Sequence, residues 1–592
     1  MKIRYLNGKR LYYAFLAGGQ AVIRDKEYLN RINVFPVPDA DTGTNLASTM
    51  RSIASEAKAG GSLRDTLRSL ADAALIGARG NSGLIFAQFV HGLSREAANE
   101  RRLTTHSFGE MMARAVRHAY NAILHPVEGT MLSVMRDWAD SVFHYRLKTA
   151  DFVELLGHSL QTARRSLRDT PRKLSVLARA RVVDAGAKGF VDFVEGVMDF
   201  IRAGRLRSLP QARPENHKAL PKVHSFDRVL SRRYCAEAVL VGRDMDLDRL
   251  RRSLQAYGDS AIVAGSEEKA RFHVHTDRPA DLFFELQGIG RARHVKVDDM
   301  LRQMEAGRKR HSGPALVTDS ACDLPAQAMD EHRIHVLPFT LSFGENEFLD
   351  KMTIQPEQFY RLLRERPEHP VTSLPSPSLI HSQLSFLADH YKSILVFSIS
   401  SGLSGACNAL RRAAADFPAS KISIIDTKTL SAGQGLLVLR AAQAASQGVG
   451  HDEIVRLSEE WSRKTRLLVD IQTLRYMVRG GRVSALKGFL ARLLNLKPII
   501  SLDESGKAVA SGKSFGRRAN MEKILKLTAE MTGRERLWNY AVVHALNRPR
   551  AEIYSRRLES LLGRPPAFIQ DIAPVIGVHN GIGVVAVCLM FE

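Results

Sequence analysis

The sequence predicts a multidomain protein that joins an all-α domain, a small α+β domain and a larger α/β domain. The chain has 592 residues, more than one hydrophobic core usually holds, because domains commonly have about 100–200 residues. Residues 1–205 carry apolar positions at helical spacing, whereas residues 314–592 alternate between strand-like and helix-like segments. Polar segments separate these regions, which indicates linkers between domains.

The N-terminal region, residues 1–205, is predicted to be helical throughout. Leu63–Ala78, Met111–Ile123 and Phe152–Ser166 place apolar residues at intervals of three and four, as in a helix that buries one face. The stretches between them are polar or glycine-rich, and few show the alternation typical of strands. Residues 206–225 contain three prolines and no periodicity, which predicts a linker.

Residues 226–305 are predicted to form a small α+β domain. Its predicted elements are the strands Ala236–Val241, Ser260–Ala264 and Arg271–Thr276 and the helices Asp246–Tyr257 and Pro279–Gln287. A short basic linker is predicted at residues 306–313. The remaining residues, 314–592, are predicted to form an α/β domain with a largely parallel sheet.

The composition excludes several classes of protein. Hydrophobic residues make up 45% and charged residues 25%, as in globular proteins, and no apolar run is long enough to predict a membrane span. The N-terminus lacks the apolar region of a signal peptide, and the four cysteines are scattered, so a cytoplasmic location is predicted. The net charge of +23 is spread along the chain, which favours transient contact with a membrane surface over nucleic-acid binding.

The densest chemical signal is the segment NVFPVPDADTGTN at residues 33–45. Two prolines precede Asp39 and Asp41, so a rigid loop would hold two carboxylates together, where they repel unless a cation lies between them. Oxygen ligands suit Mg²⁺, which binds phosphate oxygens at the same time. The N–H groups of residues 43–45 could begin a helix that faces an anion. The alternative is a proline-rich turn with Asp and Thr as caps.

Three further segments combine glycine with hydroxyl or carboxylate groups. In GARGNSG, residues 77–83, glycine permits close approach of the backbone to phosphate, and Ser82 can donate a hydrogen bond; a simple turn between helices is the alternative. Arg79 could add positive charge at the transferring group or could be a surface or capping arginine. The other two segments are PVEGTM at 126–131 and VDAGAKG at 183–189.

Together these four segments resemble the nucleotide-binding domain of dihydroxyacetone kinases, in the version found at the N-terminus of fatty acid kinase. The resemblance covers about residues 1–205 and implies an eight-helix barrel with ATP and a pair of Mg²⁺ ions. It implies that Asp39 and Asp41 are the metal ligands and, with Arg79, the catalytic residues; Ala40 replaces the glycine usual between the aspartates. The implied nucleotide-binding residues are Thr42, Thr44, Asn45, Gly80, Asn81, Ser82, Thr130 and Asp184.

The middle domain contains candidate zinc ligands. His273 and His275 lie two residues apart on a predicted strand, which puts both rings on one face, and Cys235 could join them as a third ligand. The alternative is two half-buried histidines and a buried thiol. The Cys-x-Glu and His-x-His pattern also resembles the middle domain of fatty acid kinase, which implies a Zn²⁺ site with a structural or docking role.

Hydroxyl-rich segments follow several predicted strands of the last domain, at 317–323, 371–377 and 400–405, and a histidine, His579, lies near residue 592. Hydroxyl groups at strand ends make a neutral polar mouth that can bind a carboxylate, with apolar side chains around a tail. A serine with a histidine also fits a hydrolase. However, Ser404 lies in LSG and not in a Gly-x-Ser-x-Gly turn, and the sequence shows no clear acid partner.

This set resembles the DegV family of fatty-acid-binding proteins over nearly all of residues 314–592. The resemblance implies a two-lobed α/β domain whose hydroxyl groups and histidine hold the carboxylate of a fatty acid. The implied substrate-binding residues are Thr372, Ser373, Ser404, Arg482 and His579. Ala406 and Cys407 replace a usual Thr-Tyr pair, and residues 580–582 replace a Gly-Pro-type turn, which affects the shape of the pocket and the direction of His579.

Both roles therefore fall in one chain, and the implied reaction converts ATP and a bound fatty acid to ADP and acyl phosphate for phospholipid synthesis. A downstream acyltransferase, a membrane surface and a second copy of the chain are the implied partners. One alternative is a glycerone or polyol kinase, although no separate substrate domain of that type is present in the sequence. Another is a lipid carrier or regulator without enzymatic activity, which the Asp39 and Asp41 pair disfavours.

Overall fold

The structure is a computed structural model of the chain. It describes residues 2–35, 41–97, 101–123, 126–203, 230–308, 311–482, 497–514 and 516–592. The chain forms two compact units, each described by itself below. The first consists of Met1–Asp277 and Gly288–Met300, and the second of Arg278–Gln287 and Leu301–Glu592.

The first unit begins with amphipathic helices. They are α1 (Gly8–Arg24), α2 (Lys26–Arg31), α3 (Thr42–Glu56), α4 (Leu63–Gly77), α5 (Gly80–Glu96), α6 (Thr105–Asn121), α7 (Met131–Tyr145), α8 (Phe152–Lys173), α9 (Ser175–Ala180) and α10 (Ala185–Ala203). Local signals set their ends: Ser62 accepts the N–H of Asp65 before α4, as a regular N-cap does. The three helices predicted from periodicity are confirmed by α4, α6 and α8, although the first prediction runs one residue past α4 and the second runs two residues past α6.

Aromatic side chains fill the core of this helical region. The rings of Phe86 and Phe193 meet edge to face with centroids 4.9 Å apart, and those of Trp138 and Phe190 are 5.5 Å apart, both favourable geometries. A Cβ on Gly196 of α10 would lie 2.6 Å from a carbonyl oxygen of α1, so glycine lets these two helices approach closely. The region is helix-rich, as predicted, and the eight-helix barrel stays an expectation from the resemblance.

A four-stranded antiparallel sheet completes the first unit. Its strands are β1 (Tyr234–Val241), β2 (Gly258–Gly265), β3 (Lys269–Thr276) and β4 (Arg291–Asp299), in the order β2-β3-β1-β4, with α11 (Leu247–Tyr257) after β1. The sequence predicted β1, β2, β3 and α11 but missed β4. In the register, Cys235 lies opposite His275 and Glu237 opposite His273. Residues two apart on a strand share a face, so these four side chains project together.

The sheet packs directly on the helices. Ile262 and Ala264 of β2 are buried in the same hydrophobic core as the helices, and the Gly265 N–H donates to Gln88 Oε1 of α5 at 2.8 Å. An isolated bridge also joins Ile123 to Ile262. The helical region and the sheet of the middle domain, which the sequence predicted as separate domains, thus belong to one compact unit.

Helix α12 (Pro279–Leu286) packs with the second unit instead. Gln358 donates to Asp281 at 3.2 Å, and Arg366 donates to Gln287 at 2.7 Å. Within the predicted linker 306–313, the described residues belong to the end of α13 (Met300–Arg308) and the start of β5 (His311–Asp319). The helix-forming residues 300–306 carry α13 into this segment, and His311 pairs with Tyr391 in the sheet. The predicted linker 206–225 lies outside the described residues.

The second unit alternates strands and helices. Its further strands are β6 (His335–Leu337), β7 (Thr340–Phe343), β8 (Asn346–Leu349), β9 (Val371–Ser373), β10 (Tyr391–Ser398), β11 (Ile422–Asp426), β12 (Thr465–Asp470), β13 (Lys497–Leu502), β14 (Ala508–Ser514), β15 (Leu537–His544), β16 (Ile569–Asp571) and β17 (Val585–Phe591). Its further helices are α14 (Ala326–Glu331), α15 (Pro356–Glu365), α16 (Pro377–His390), α17 (Ala406–Ala414), α18 (Ala432–Ser446), α19 (His451–Arg463), α20 (Arg475–Arg479), α21 (Arg517–Thr532), α22 (Arg548–Leu562) and α23 (Pro574–Asn580).

Two large sheets give this unit its α/β fold. The sheet β11-β10-β5-β6 is parallel, as predicted. The sheet β14-β13-β12-β17-β15-β16 is antiparallel except for the β15–β16 pair, so the prediction of a largely parallel sheet is wrong for it. Apolar runs predict strands but not their direction. None of the described helices has the length and apolar character needed to span a membrane.

Candidate functional site

The first motif of the N-terminal region ends at the start of α3. Asp41 directly precedes this helix, and its carbonyl oxygen accepts the Asn45 N–H at 2.8 Å. The Asp41 carboxylate makes no capping hydrogen bond to the helix, so the alternative interpretation, a capping aspartate, does not fit it. Asp39 lies outside the described residues, and the predicted carboxylate pair therefore has one described member.

Asn30, on α2, holds the next residues of this motif. Its Oδ1 accepts the Thr44 N–H at 3.0 Å, and its Nδ2 donates to Thr44 Oγ1 at 3.0 Å. Gly43 is required here because a Cβ would lie 2.8 Å from Asn30 Oδ1 and 2.9 Å from Leu29 Cβ. Thr42 is buried beside it. Sequence reasoning missed Asn30, since a single asparagine on a short helix belongs to no motif.

The glycine-rich segment lies against Asn45. Gly80 has a φ of +57°, which glycine tolerates readily, and a Cβ there would lie 3.2 Å from Asn45 Cγ and closer still to its Nδ2. The Gly80 N–H donates to the carboxylate of Glu237 at 2.6 Å, so in this arrangement it does not face an open phosphate site. Asn81 Oδ1 is buried and has no hydrogen-bond partner among the described residues.

The remaining two motifs meet at Ser82. A Cβ on Gly186 would lie 2.8 Å from Ser82 Oγ and 3.4 Å from both Asp184 Oδ1 and Met131 Cβ. Met131 begins α7 directly after Thr130, whose hydroxyl donates to a carbonyl oxygen of its own turn at 2.7 Å. The described parts of all four segments that the sequence singled out therefore converge around the first turn of α5.

The electrostatics of this site fit a cation. Asp184 is buried, its Oδ1 accepts the Ala187 N–H at 2.8 Å, and burial raises the pKa of its carboxyl to about 6. The groups that lower this pKa, the backbone N–H groups of Ala187 and Met131, are uncharged. A divalent cation would stabilise the ionised carboxyl. Asp41 and the buried Asn81 Oδ1 belong to the neighbouring segments and are further oxygen donors, the ligand type that suits Mg²⁺.

The middle-domain cysteine and histidines form a compact cluster. Candidate ligand atoms of Cys235, His273 and His275 all lie within 4.8 Å of one another. The Nε2 atoms of the two histidines are 3.2 Å apart, close to the spacing of about 3.3 Å that two bonds of about 2.0–2.1 Å make on tetrahedral zinc. Burial lowers the pKa of His275 to about 3, so its ring is neutral, as a ligand must be. These residues fit zinc, which would need a fourth ligand.

Charged residues surround this cluster, and sequence reasoning did not anticipate them. Glu237 is 1% exposed and pairs with Arg271 at 3.3 Å. Lys296 of β4 pairs with Asp298, and although burial opposes its charge, the pKa of Lys296 is raised by Asp298 and Glu237. Strand β4 itself was missed, so Lys296 could not be placed beside Glu237.

Charges of the predicted nucleotide residues, Asp41 and Arg79, act on the cysteine–histidine cluster and its surroundings. Burial raises the pKa of the Cys235 thiol well above its usual value, and the negative charge of Asp41 acts in the same direction. Burial lowers the pKa of Arg271, and the positive charge of Arg79 lowers it further. The first unit thus brings the predicted metal ligands of the middle sheet close to the predicted nucleotide residues.

The second unit contains a cavity of about 210 Å³, far larger than the roughly 10–15 Å³ that one water needs. All five predicted substrate-binding residues line it: Thr372, Ser373, Ser404, Arg482 and His579. Most of the other lining residues are apolar, among them Leu467, Ile500, Val575 and Ile576. An apolar cavity with a few polar groups is the usual form of a small-molecule site.

His579 lies at the end of α23, with its ring beside Gly480. Burial, with the charges of Arg482 and His369, lowers the pKa of His579 to about 4, so the ring is neutral near pH 7. Its Nδ1 is buried without a hydrogen-bond partner in the described parts of the chain. Ser404 Oγ accepts the Ala406 N–H at 3.3 Å, which leaves its hydroxyl hydrogen for a ligand.

Buried aspartates of the segment 317–323 support the cavity. Asp319 accepts the Ile399 N–H at 2.7 Å. Asp323 accepts the Ala573 N–H, just before α23, at 2.9 Å and the Ser431 hydroxyl at 2.5 Å. This segment therefore fixes the start of the helix that carries the histidine, and it acts by positioning and not by contact with a ligand.

Three protein-family models match the chain. Residues 36–199 match the DAK2 domain, and residues 231–307 match the FakA-like middle domain of fatty acid kinase. Residues 314–592 match "Uncharacterised protein, DegV family". These matches fall on the three segments in which the sequence resembled those families, and they confirm the resemblances.

Similar curated proteins occur in staphylococci. An uncharacterized protein of Staphylococcus saprophyticus is 32% identical over 359 residues, which cover 59% of this chain and 64% of that protein. An uncharacterized protein of Staphylococcus epidermidis is 31% identical over 323 residues, or 52% of this chain and 58% of that protein. The chain thus spans less than two thirds of the length of these relatives.

Two of the solved structures similar to the chain are DegV proteins. DegV from Bacillus subtilis, described as a fatty acid binding protein, is 25% identical with a TM-score of 0.45, covering 48% of this chain and 100% of that one. A DegV family protein from Thermus thermophilus is 26% identical with a TM-score of 0.45, covering 47% and 100%. From the family models, the chain combines a DAK2 domain, a FakA-like middle domain of the fatty acid kinase type and a DegV-family domain.

Proposed function

We propose that this protein is an ATP- and Mg²⁺-dependent kinase that phosphorylates the carboxylate of a fatty acid bound in its own C-terminal unit. The convergence of four separate motif segments on the first turn of α5 carries the kinase part of the proposal. The matches to the DAK2 domain and to the FakA-like middle domain support it. The reaction converts ATP and a fatty acid to ADP and an acyl phosphate.

The nucleotide site supplies position and charge. ATP with Mg²⁺, when bound, provides the phosphoryl group and partly neutralises its charge. Asp41, Asp184 and Asn81 would offer oxygen atoms for the cation, with Asp39 as the second predicted ligand. The residues after Gly80, among them Ser82, would offer hydrogen-bond donors to the phosphates from the N-terminus of α5. Arg79 adds a positive charge at the same turn.

The cavity of the second unit suits a long acyl chain with a carboxylate head. Its apolar lining would exclude water from the tail, and the hydroxyl groups of Thr372, Ser373 and Ser404 can donate to the carboxylate. His579 is neutral and can donate as well. Arg482 adds the positive charge that would favour the ionised acid and its phosphorylated product.

The cofactors and partners follow from this reaction. A zinc ion at Cys235, His273 and His275 would have a structural or docking role and would not bind the fatty acid, because its ligands lie in the middle sheet and not in the cavity. An acyl phosphate is a reactive mixed anhydride, so an acyltransferase of phospholipid synthesis, reached at the membrane surface, would consume it. A cytoplasmic location and a homodimer belong to the same proposal.

Two measurements test the proposal. Mass spectrometry of lipid extracted from the purified full chain should find a fatty acid, and adding that acid with ATP should yield acyl phosphate. Asp41→Ala should reduce turnover at least about 100-fold with lipid retained, whereas Ser404→Ala should weaken lipid binding about 10-fold, as expected when one hydrogen bond to a charged group is lost. Asp72→Asn, on the exposed face of α4, is the matched control and should leave both unchanged.

The alternatives give different outcomes. Turnover with glycerone or another polyol, and no lipid in the extract, would replace the fatty acid with a small hydroxyl acceptor. A tightly bound fatty acid without any ATP consumption would identify a lipid carrier. Either result would overturn the proposed reaction.

A further inference from the structure

Glu237 of β1 is a buried carboxylate that contacts two sites. One is the glycine-rich segment that begins α5, and the other is the cluster of Cys235, His273 and His275. Its Oε1 accepts the Gly80 N–H at 2.6 Å and lies 2.9 Å from Nδ1 of His273. Its Oε2 accepts a hydrogen bond from Arg271 at 3.3 Å. Gly80 begins α5, and His273 belongs to the candidate zinc ligands, so a single side chain joins two sites.

The contact with His273 determines how that ring can bind a cation. A carboxylate accepts hydrogen bonds, so the ring nitrogen that faces it, Nδ1, carries the hydrogen. The lone pair is then left on Nε2, which lies 3.2 Å from Nε2 of His275. A carboxylate behind the far nitrogen of a metal-binding histidine is the common arrangement that fixes the ring and strengthens the ligand.

Arg271 holds the other side of the same loop. It donates to the Ile76 carbonyl oxygen at 2.9 Å and to Glu237. The turn from α4 to α5 is therefore bonded at both ends by the middle sheet, through the Ile76 carbonyl and the Gly80 N–H. Asn45 closes the opposite side, since it leaves no room for a Cβ on Gly80.

We propose that Glu237 couples cation binding at Cys235, His273 and His275 to nucleotide affinity at the loop that begins α5. This inference rests on the two sites of the proposed function. A cation bound to Nε2 of His273 fixes the ring, and the ring orients Glu237 through Nδ1. Glu237 in turn fixes the position of Gly80. Coupling of this kind is reciprocal, so nucleotide must raise the affinity for the cation by the same factor.

A simpler role for Glu237 is to cap α5, and one substitution separates the two. In Glu237→Gln the side-chain carbonyl can still accept the Gly80 N–H, so a cap survives. The negative charge is removed: the amide NH₂ faces the Arg271 donor instead of pairing with it, and the neutral oxygen holds the His273 Nδ1–H more weakly than a carboxylate does, so coupling is lost. Asp259→Asn is the matched control, because Asp259 lies 3.8 Å from Nδ1 of His275 and faces the cluster from its exposed side.

The experiment measures the Kd of a non-hydrolysable ATP analogue with Mg²⁺ on the full chain, by calorimetry, after zinc loading and after chelation. Zinc should tighten the wild-type Kd by at least about fivefold, the lower range of allosteric coupling. The Asp259→Asn protein should keep this factor, and the Glu237→Gln protein should show less than a twofold change. Zinc affinity of Glu237→Gln should fall roughly 10–100-fold, as for other lost partners of metal-binding histidines.

The outcomes separate this inference from the proposed function. If the wild type binds the ATP analogue but takes up no zinc, the zinc site and the coupling are both refuted, and the kinase proposal stands. Zinc uptake with an unchanged wild-type Kd would overturn the coupling alone, as would an equal zinc effect in Glu237→Gln. If that variant does not fold, amide exchange of the wild-type loop around Gly80 decides: zinc must slow it, and no change refutes the coupling.

Discussion

Gly480→Ala is a direct test of His579 that removes no polar group from the cavity. Gly480 follows α20 and has ordinary helical backbone angles, so alanine causes no backbone strain. A Cβ at this position would lie 2.9 Å from Cε1 of His579 and closer to Nδ1, where ordinary contacts are 3.4 Å or longer. The ring must therefore move by at least about half an ångström.

The size of the effect follows from the hydrogen bond that this movement breaks. A hydrogen bond to a charged group contributes about 1.5–3 kcal/mol, so losing the one from His579 to a carboxylate should raise the Kd for fatty acid roughly 10–100-fold. The free energy of unfolding should change by less than about 1 kcal/mol, because the ring can shift into the cavity. The affinity for fatty acid should therefore fall while the stability of the protein stays nearly unchanged.

Displacement of a fluorescent fatty acid measures the affinity, and thermal unfolding measures the stability. Gly405→Ala is the matched control: Gly405 also lines the cavity, but a Cβ there would meet only Leu374 at an ordinary 3.8 Å. In a His579→Ala background, Gly480→Ala should have no further effect, since both changes act on one group. Wild-type affinity in Gly480→Ala, or a full additional loss in the double variant, would refute the reasoning.

Two further predictions concern a glycine and a histidine. Gly80→Ala should weaken binding of an ATP analogue at least about 10-fold, because the φ of +57° and the contact with Asn45 both oppose a side chain; Gly157→Ala, whose nearest neighbour is 3.6 Å away, should not weaken binding. Burial lowers the pKa of His335 from 6.5 to about 3, so its protonation favours the unfolded state, and stability is lost as the pH falls below 6.5. In denaturant unfolding, the wild type should lose about 2 kcal/mol more stability between pH 7 and 5 than His335→Gln does; an equal loss in the two proteins would contradict the assignment.

The sequence predicted which residue types form the sites better than it predicted which distant residues contact them. Short motifs such as the segment around Asp41 reveal chemistry because the backbone and the ligands need those residues in that order. Asn30 and Lys296 belong to no such pattern, and only the fold brings them to Thr44 and Glu237. The bond from Gly80 to Glu237 joins residues 157 positions apart, which no local pattern contains.

The strands show the same limit. Their positions follow from apolar and β-branched runs, but the partner and direction of each strand depend on the tertiary fold. Strand β17 looks like any buried strand, yet it pairs antiparallel with β12 and β15. Helix α12 was predicted at the right place, and its side chains nevertheless pack with the second unit, through Asp281 and Gln358.

The position of β17 also constrains how the second unit can fold during synthesis. The strand lies between β12 and β15, and Val585 pairs with Asp470 across 115 positions of sequence. The parallel sheet is complete in sequence once β11 has been made, so it can form while the ribosome is still translating. The six-stranded sheet has to wait for residues 585–591, and until then β12 and β15 have unpaired edges. At roughly 5–20 residues per second, that interval lasts on the order of ten seconds, during which these strands are open to chaperones and to mispairing.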